Sequence, residues 1–483
     1  MIKLKTIFFA GLALTLVIIT ACSNAAQPDA GTGGSAALPE APFVEGGASL
    51  ILSPDKLDIR VKVTTSDGTP VTVKGCTETE LTSGTQTELK AKGRKVVLKG
   101  KITKLTVGDW KNPNKLTALN VQGLSALQEL NCVVNQLTAL NVQGLTDLRT
   151  LVCWGNQLTE LNVQGLTALQ TLYCGDNQLT SLNVQGLTAL QELSCGDNQL
   201  TSLNVQGLTA LQTLGCNSNQ LTSLNVQGLT ALKELWCYNN QLTSLNVQGL
   251  TALQTLWCWG NQLTSLNVQG LITLKKLNCW GNQLTALNVQ GLTALQTLYC
   301  SGNRLTALNV QSLTALKELN CVANQLTALN VQGLTALKEL WCGGNRLTEL
   351  NVQGLTALQW LNCWGNQLTA LNVQGLTALK DLGCRGNQLT ALNVQGLTAL
   401  QGLDCSGNRL NADAFKKLFD DLPVLQDSDD AKCVLYTEES GVTEGNHTDF
   451  TDPPDLAAAF NNAKTVKKWK MYKRHGSGNS VEI

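Results

Sequence analysis

Seventeen cysteines carry the most latent chemistry in this sequence of 483 residues, and fourteen of them recur every 21 residues from Cys132 to Cys405. Thiols so placed could form disulfides, hold a metal or act as nucleophiles. No histidine lies among the repeats, since His447 and His475 both fall in the tail, so neither a Cys/His metal set nor a thiol–imidazole pair is present. A column of like-oriented thiols does not surround a metal tetrahedrally, and a compact apolar core filler is the reading that fits. There is no Gly-x-Ser-x-Gly, no His-Glu-x-x-His and no glycine-rich phosphate loop after a strand. Glu192, Glu234, Glu318 and Glu339 take equivalent places in scattered repeats and read as a solvated face. The sequence calls for no metal or cofactor and does not suggest an enzyme.

Aromatic residues are the other chemically distinctive group. Trp154, Tyr173, Trp236, Tyr238, Trp257, Trp259, Trp280, Tyr299, Trp341, Trp360 and Trp364 are all the Trp and Tyr of the repeats. Every one lies three or one residues before a repeat cysteine, or one after it. Trp236 and Trp257 are successive before the cysteine; Tyr238, Trp259 and Trp280 are successive after it. If repeats stack at about 4.8 Å these rings, together with Tyr299, form a platform across four of them, with Trp341, Trp360 and Trp364 forming a second. Clustered surface aromatics mark binding faces; the structural alternative is ring-on-ring stacking alone.

The repeat itself must position them. One unit runs from Leu169 to Ala189, with apolar recurrences at Leu169, Leu172, Cys174, Leu179, Leu182, Val184 and Leu187. The alternation Leu172-Tyr173-Cys174 predicts a short strand with leucine and cysteine inward and tyrosine outward. Gln185-Gly186 predicts a turn on the return, and Gln185 is expected to matter neither for binding nor for stability. Six aliphatic side chains contribute ~10–15 kcal/mol of burial, against on the order of 20–40 kcal/mol to order 21 backbones. A single unit cannot fold alone, so the units must stack into a solenoid.

The pattern Leu-x-x-Leu-x-Cys-x-x-Asn-x-Leu, seen at Leu169 to Leu179, resembles the cysteine-ladder leucine-rich repeats of bacterial surface proteins, internalins and spirochaetal and Bacteroidetes proteins among them. That resemblance implies a leucine-rich-repeat solenoid with a curved parallel β-sheet on its concave side and short irregular convex returns. The aromatic positions would then lie on the concave sheet. Asn177 and its counterparts, three residues after each cysteine from Asn135 to Asn408, would be buried and bonded to loop backbone. An amide offers both donor and acceptor, so one side chain can serve its own coil and the next.

The ends differ from the middle. Ile102-Thr-Lys-Leu105-Thr-Val107 matches the strand template with valine for cysteine, 25 residues before Cys132, as in a degenerate unit with a four-residue insertion. Leu57 to Val63 and Pro70 to Val73 flank Ser66-Asp67-Gly68, a hairpin signal. Residues 48–110 are therefore expected to be a β-rich N-terminal cap, 111–410 the repeats, and 411–483 an α/β C-terminal cap. In that last segment helices are predicted over Ala412 to Asp421 and from Asp455 through Ala463. Val466-Lys-Lys-Trp469-Lys-Met471 repeats the strand template once more.

Lys3, Lys5 and the apolar run Ile7 to Ile19 have the layout of an export signal over residues 1–21, and the run is too short to span a bilayer. Ile19-Thr20-Ala21-Cys22 resembles a bacterial lipobox. The resemblance implies cleavage before Cys22, its lipidation, and residence in the cell envelope, with an outer-membrane or surface location. Residues 22–47, rich in Ala, Gly, Pro and Ser, read as a flexible tether. Basic and acidic residues balance at 35 each, which speaks against a nucleic-acid partner. The functional expectation is a lipid-anchored binding protein whose concave aromatic face holds a protein or glycan of a host or bacterial surface. Adhesion is the role implied by the family; a lectin-like glycan binder and a structural envelope spacer are the alternatives.

Overall fold

A computed structural model describes residues 40–439, 444–475 and 479–483; the expected export signal, Cys22 and most of the tether lie outside them. The described chain forms two compact units, one spanning Leu38–Leu316 and one containing Lys317–Ile483.

The first unit opens with eight strands: β1 (Gly47–Leu52), β2 (Asp58–Thr65), β3 (Val71–Lys74), β4 (Glu80–Leu81), β5 (Gln86–Lys90), β6 (Lys95–Lys99), β7 (Ile102–Thr106) and β8 (Leu116–Asn120). One antiparallel sheet has the order β4-β3-β6-β1-β8. In the other, β2 lies between β5 and β7. The inward side chains Ile59, Val61, Val63, Val71, Leu89, Val96 and Leu98 are buried. The hairpin expected across Ser66-Asp67-Gly68 does not form. Asp67 accepts bonds from the Thr69 N–H and hydroxyl and Gly68 has φ +74°, so the chain does turn. Both edges of β2 are already occupied, however, and the turn passes the chain to the other sheet, where β3 pairs with β4 and β6. The cap also recruits residues assigned above to the tether. Ser49 Oγ donates to the Pro42 carbonyl, and Asn120 Nδ2 donates to that of Ala41 at 3.1 Å.

β7 is the degenerate first repeat, as its template match implied. It pairs in parallel with β9 (Glu129–Asn131), Leu105 beside Leu130, and Val107 is fully buried where later coils have cysteine. Eight further three-residue strands follow in this unit, ending with β17 (Thr297–Tyr299). Neighbours pair in parallel without slippage, as Leu151 beside Leu172 and Tyr173 beside Ser194. Leu172 and the repeat cysteines are buried.

Two side-chain ladders tie successive coils together. Asn177 Nδ2 donates to the carbonyls of Cys174 and Cys153, both at 3.1 Å, while its Oδ1 accepts the Leu158 N–H at 3.0 Å. This is the two-coil role foreseen for it. Asn114 shows where the four extra residues of the first repeat sit. It reaches Val107 O, seven residues back rather than three, and exchanges two bonds with the Arg60 backbone. The second ladder gives Gln185 a contact that its expected neutrality did not include: its Nε2 donates to Asn204 O at 3.0 Å in the next coil. Gln164, Gln206, Gln227 and Gln248 do the same, because the turn at Gly186, φ +82°, aims the glutamine along the stack.

The second unit continues the motif in five strands, from β18 (Glu318–Asn320) to β22 (Gly402–Asp404). It closes with α1 (Ala412–Asp421), β23 (Lys432–Glu438), α2 (Pro454–Thr465), β24 (Lys470–His475) and β25 (Asn479–Glu482). Asn411 caps α1 through a bond from Ala414 N. The helix buries Phe415, Leu418 and Phe419, and Phe450 stacks on Phe460 of α2 at 5.2 Å. Lys467 Nζ donates to the carbonyls of Phe419, Asp420 and Leu422, where the ammonium satisfies the C-terminal carbonyls of α1. β23, which the periodicity did not announce, pairs in parallel with β22, Cys433 beside Leu403. Met471 lies beside Cys433. It therefore occupies the leucine place of the template, two residues away from the cysteine place expected for it. A shift of two keeps the same side chains inward. Asn446 ends the ladder in this unit, donating to Cys405 O and Leu435 O and accepting from Leu410 N.

Candidate binding face

Side chains three and one residues before each cysteine, and one after, project from the outer face of the strand, opposite the buried leucines. All eleven predicted aromatics are on that face. In the first unit Tyr238 lies flat on Trp259, centroids 4.5 Å apart and planes 7° from parallel. Trp257 stands 6.1 Å from Trp236 and 6.3 Å from Tyr238, and Trp280 is 5.5 Å from Trp259. Five of the six rings expected in the first platform thus form one connected series. Most are half-buried because they cover one another; Trp280 is 47% exposed. Tyr299 continues the column before the cysteine, beside Asn278.

Trp154 and Tyr173 lie apart from that series. A Cβ on Gly175 would sit 3.1 Å from Trp154 Cδ1, and one on Gly215 would sit 3.3 Å from Trp236 Cε3. Each indole therefore leans over a glycine of the neighbouring coil. The Tyr173 hydroxyl donates to the Glu192 carboxylate; burial, followed by that carboxylate, pushes the phenol up to about 12. Trp154, Tyr173, Glu192, Ser194, Glu234 and Trp236 surround an open depression of about 460 Å³. Sequence reasoning took the two glutamates for a solvated face; the signal it missed is the run of small residues, Gly175, Ser194 and Gly215, between large rings.

In the second unit Trp341, Trp360 and Trp364 occupy three different columns on two adjacent coils. Trp364 fills the space left by Gly343, whose Cβ would approach its Nε1 to 2.3 Å. Lys380 Nζ lies 5.8 Å from the Trp360 ring centroid. Farther along, Asp404 pairs with Arg474 at 2.6 Å and accepts the Ser406 hydroxyl. Asp381 sits in the notch of Gly402, where a Cβ would come within 2.2 Å of Oδ2. Burial, and then the neighbouring Asp404 charge, raises its carboxyl to about 6.

Asn278, Asn320 and Asn362, possible partners for a sugar, use Oδ1 to accept the N–H two residues on, at 3.2–3.3 Å. The repeat cysteines are buried, and burial pushes thiols such as Cys132 and Cys279 up to about 12. No group of three or more His, Cys, Asp or Glu residues comes together as a metal site among the described residues. No helix among them is long and apolar enough to cross a membrane.

Known proteins share this architecture. The functional domain of InlJ from Listeria monocytogenes, which includes a cysteine ladder, is 30% identical, with 72% of this chain and 77% of that one aligned at a TM-score of 0.65. A leucine-rich-repeat protein of Leptospira interrogans is 33% identical over 62% of this chain and 83% of its own, at 0.57. The chain belongs to the leucine-rich-repeat family. The family pattern described as Leucine Rich repeats (2 copies) matches residues 167–209 and 230–273. YopM from Yersinia enterocolitica, 24% identical over 68% of this chain and 74% of its own at a TM-score of 0.57, shares the fold. Among curated proteins nothing matches. In leucine-rich-repeat terms, the aromatic residues belong to the strand of each repeat and the asparagine and glutamine ladders to its connections.

Proposed function

We propose that this leucine-rich-repeat protein is a recognition protein, held in the bacterial envelope by a lipid on Cys22, whose aromatic strand face binds a macromolecular partner in adhesion. The observation that carries the reading is the confinement of all eleven repeat aromatics to the outer side of their strands in each unit, five of them, in the first unit, in a connected series. Ring-on-ring pairing stabilises a sheet by roughly 0.2–1 kcal/mol per pair, and it would operate on any face with neighbouring strands. It gives no reason for keeping rings off the returns. The resemblance of the repeat pattern to that of bacterial surface proteins supports a surface role. We read the partner as a protein, with a glycan as the alternative that the arrays below distinguish. Lipidation is tested by detergent-phase partitioning: Cys22→Ala should leave the detergent phase, and unchanged partitioning would remove Cys22 as the anchor.

The test of binding uses the full chain on protein and glycan arrays, followed by Trp257→Ala and Trp259→Ala against whatever is captured. Each substitution should weaken binding by ~2 kcal/mol or more with little change in unfolding midpoint. Normal binding combined with early melting would make the face part of the scaffold and leave the envelope-spacer reading in its place.

A further inference from the structure

The depression between Trp154 and Trp236 differs from the stacked series beside it in both shape and charge. Tyr173, Ser194, Gly215 and Trp236 are successive partners across four strands, so the two large rings of this column stand ~14 Å apart. The residues between them are too small to fill that gap. Trp154 and Trp236 lean inward from opposite ends, over Gly175 and Gly215.

Along one rim run Glu192, Thr213 and Glu234, paired in sequence, and both carboxylates line the hollow. Glu192 is held by the Tyr173 hydroxyl. No cation lines the depression. The cations nearest along that column are spoken for or distant. Lys104 pairs with Glu129 at 2.5 Å, and Lys276 lies two strands beyond Glu234.

Two anionic groups and three aromatic rings around a hollow with no cation select one kind of guest. A ring face attracts a cation through its quadrupole, and a guanidinium can at once lie against indole and donate to carboxylate. An anionic guest would meet two like charges, and a purely apolar one would strip water from the carboxylates without replacing it. We infer that this depression is a specificity pocket for a basic side chain, arginine above all, presented by a protein partner. The inference rests on the recognition reading given above and narrows it to one partner chemistry.

The test is calorimetric titration of the full chain with acetyl-Gly-Arg-Gly-amide and with its citrulline counterpart, which has the same shape and no charge. The arginine peptide should bind at least about tenfold more tightly, a difference of ~1.4 kcal/mol. A Glu192→Gln/Glu234→Gln variant, with an unchanged melting temperature, should lose that preference and leave the citrulline affinity as it was. Trp154→Ala should weaken both peptides. Equal binding of the two peptides to the native protein, or a preference that survives the double substitution, overturns the pocket's charge selection. If Trp154→Ala still weakens both in that case, the face remains a recognition surface. If the native protein binds neither peptide, the pocket is refuted, and the recognition reading stands or falls on the Trp257 and Trp259 variants.

Discussion

Two adjacent coils, those of Cys216 and Cys237, are identical in their returns and different on their strands. Asn219 to Leu232 and Asn240 to Leu253 are the same fourteen residues. On the strand face, Thr213, Gly215 and Asn217 in one give way to Glu234, Trp236 and Tyr238 in the next. The returns hold the groups that bond from coil to coil, namely the asparagine amide, the glutamine amide and the glycine turn. Any change there would need a matching change in a neighbour. The strand face repeats only its backbone pairing from coil to coil; its side-chain contacts, such as Tyr173 with Glu192 and Tyr238 with Trp259, differ from coil to coil, so its side chains are freer to vary. Scaffold and specificity are thus divided within a span of 21 residues.

The sharpest way to break that division is to remove a ladder asparagine. Asn240 accepts from Leu221 N at 3.0 Å and donates to Cys216 O and Cys237 O at 3.0 and 3.1 Å. Asn240→Ala orphans buried backbone groups in two coils, and each such group costs ~1–3 kcal/mol. A loss of roughly 3 kcal/mol or more is expected in denaturant unfolding, far above that for Trp236→Ala four residues earlier. Similar losses for the two would erase the distinction between return and strand. The cysteine column comes next. Cys258→Leu overfills a buried site and should cost ~1–3 kcal/mol. The native protein should react with alkylating agents at few repeat thiols and the unfolded protein at all of them; free labelling of the folded chain would put the thiols on the wrong face.

Much of this was legible beforehand because periodicity is written in the residues. The inward leucines and cysteines, the degenerate unit at Ile102 and both C-terminal helices follow from pattern and capping, and the two-coil asparagine from the repeat family that the pattern resembles together with the donor and acceptor of an amide. What was not legible depends on partners distant in sequence. Nothing near Ser66-Asp67-Gly68 says that β2 is already flanked by β5 and β7. β23 has a single cysteine and no template around it. The hollow beside Trp154 exists through what Gly175 and Gly215 lack, and a search for chemically active residues passes over glycine.

Asp381 tests the strand face by pH. Its carboxyl is raised to about 6 from an ordinary 3.8, so the fold favours the protonated form. The sign follows: its contribution to stability is fullest below about pH 4 and is lost as pH rises through about 6. Asp381→Asn should flatten stability across that window and stabilise the protein above it by roughly 1–3 kcal/mol. An unaltered pH profile would mean that Asp381 is ionised without penalty beside Asp404.

The smallest effect expected is at Gln185, and it qualifies the comparison most directly. Its side chain is on the return and solvated, yet it donates to Asn204 O at 3.0 Å and approaches Gln206 O at 3.4 Å. A solvated hydrogen bond contributes little, since water replaces it when it breaks; ~0.5–1 kcal/mol is the scale. Gln185→Ala should therefore lower stability by that amount and leave partner binding untouched. In a stack whose stability is a sum over neighbouring interfaces, the losses should add when Gln185, Gln206 and Gln227 are replaced together. Additive loss in the triple variant would show that the convex ladder is scaffold built from weak increments. No loss in the triple variant would reduce the coil-to-coil scaffold to asparagine, cysteine and leucine, with the repeated glutamine left to some role on the outer surface.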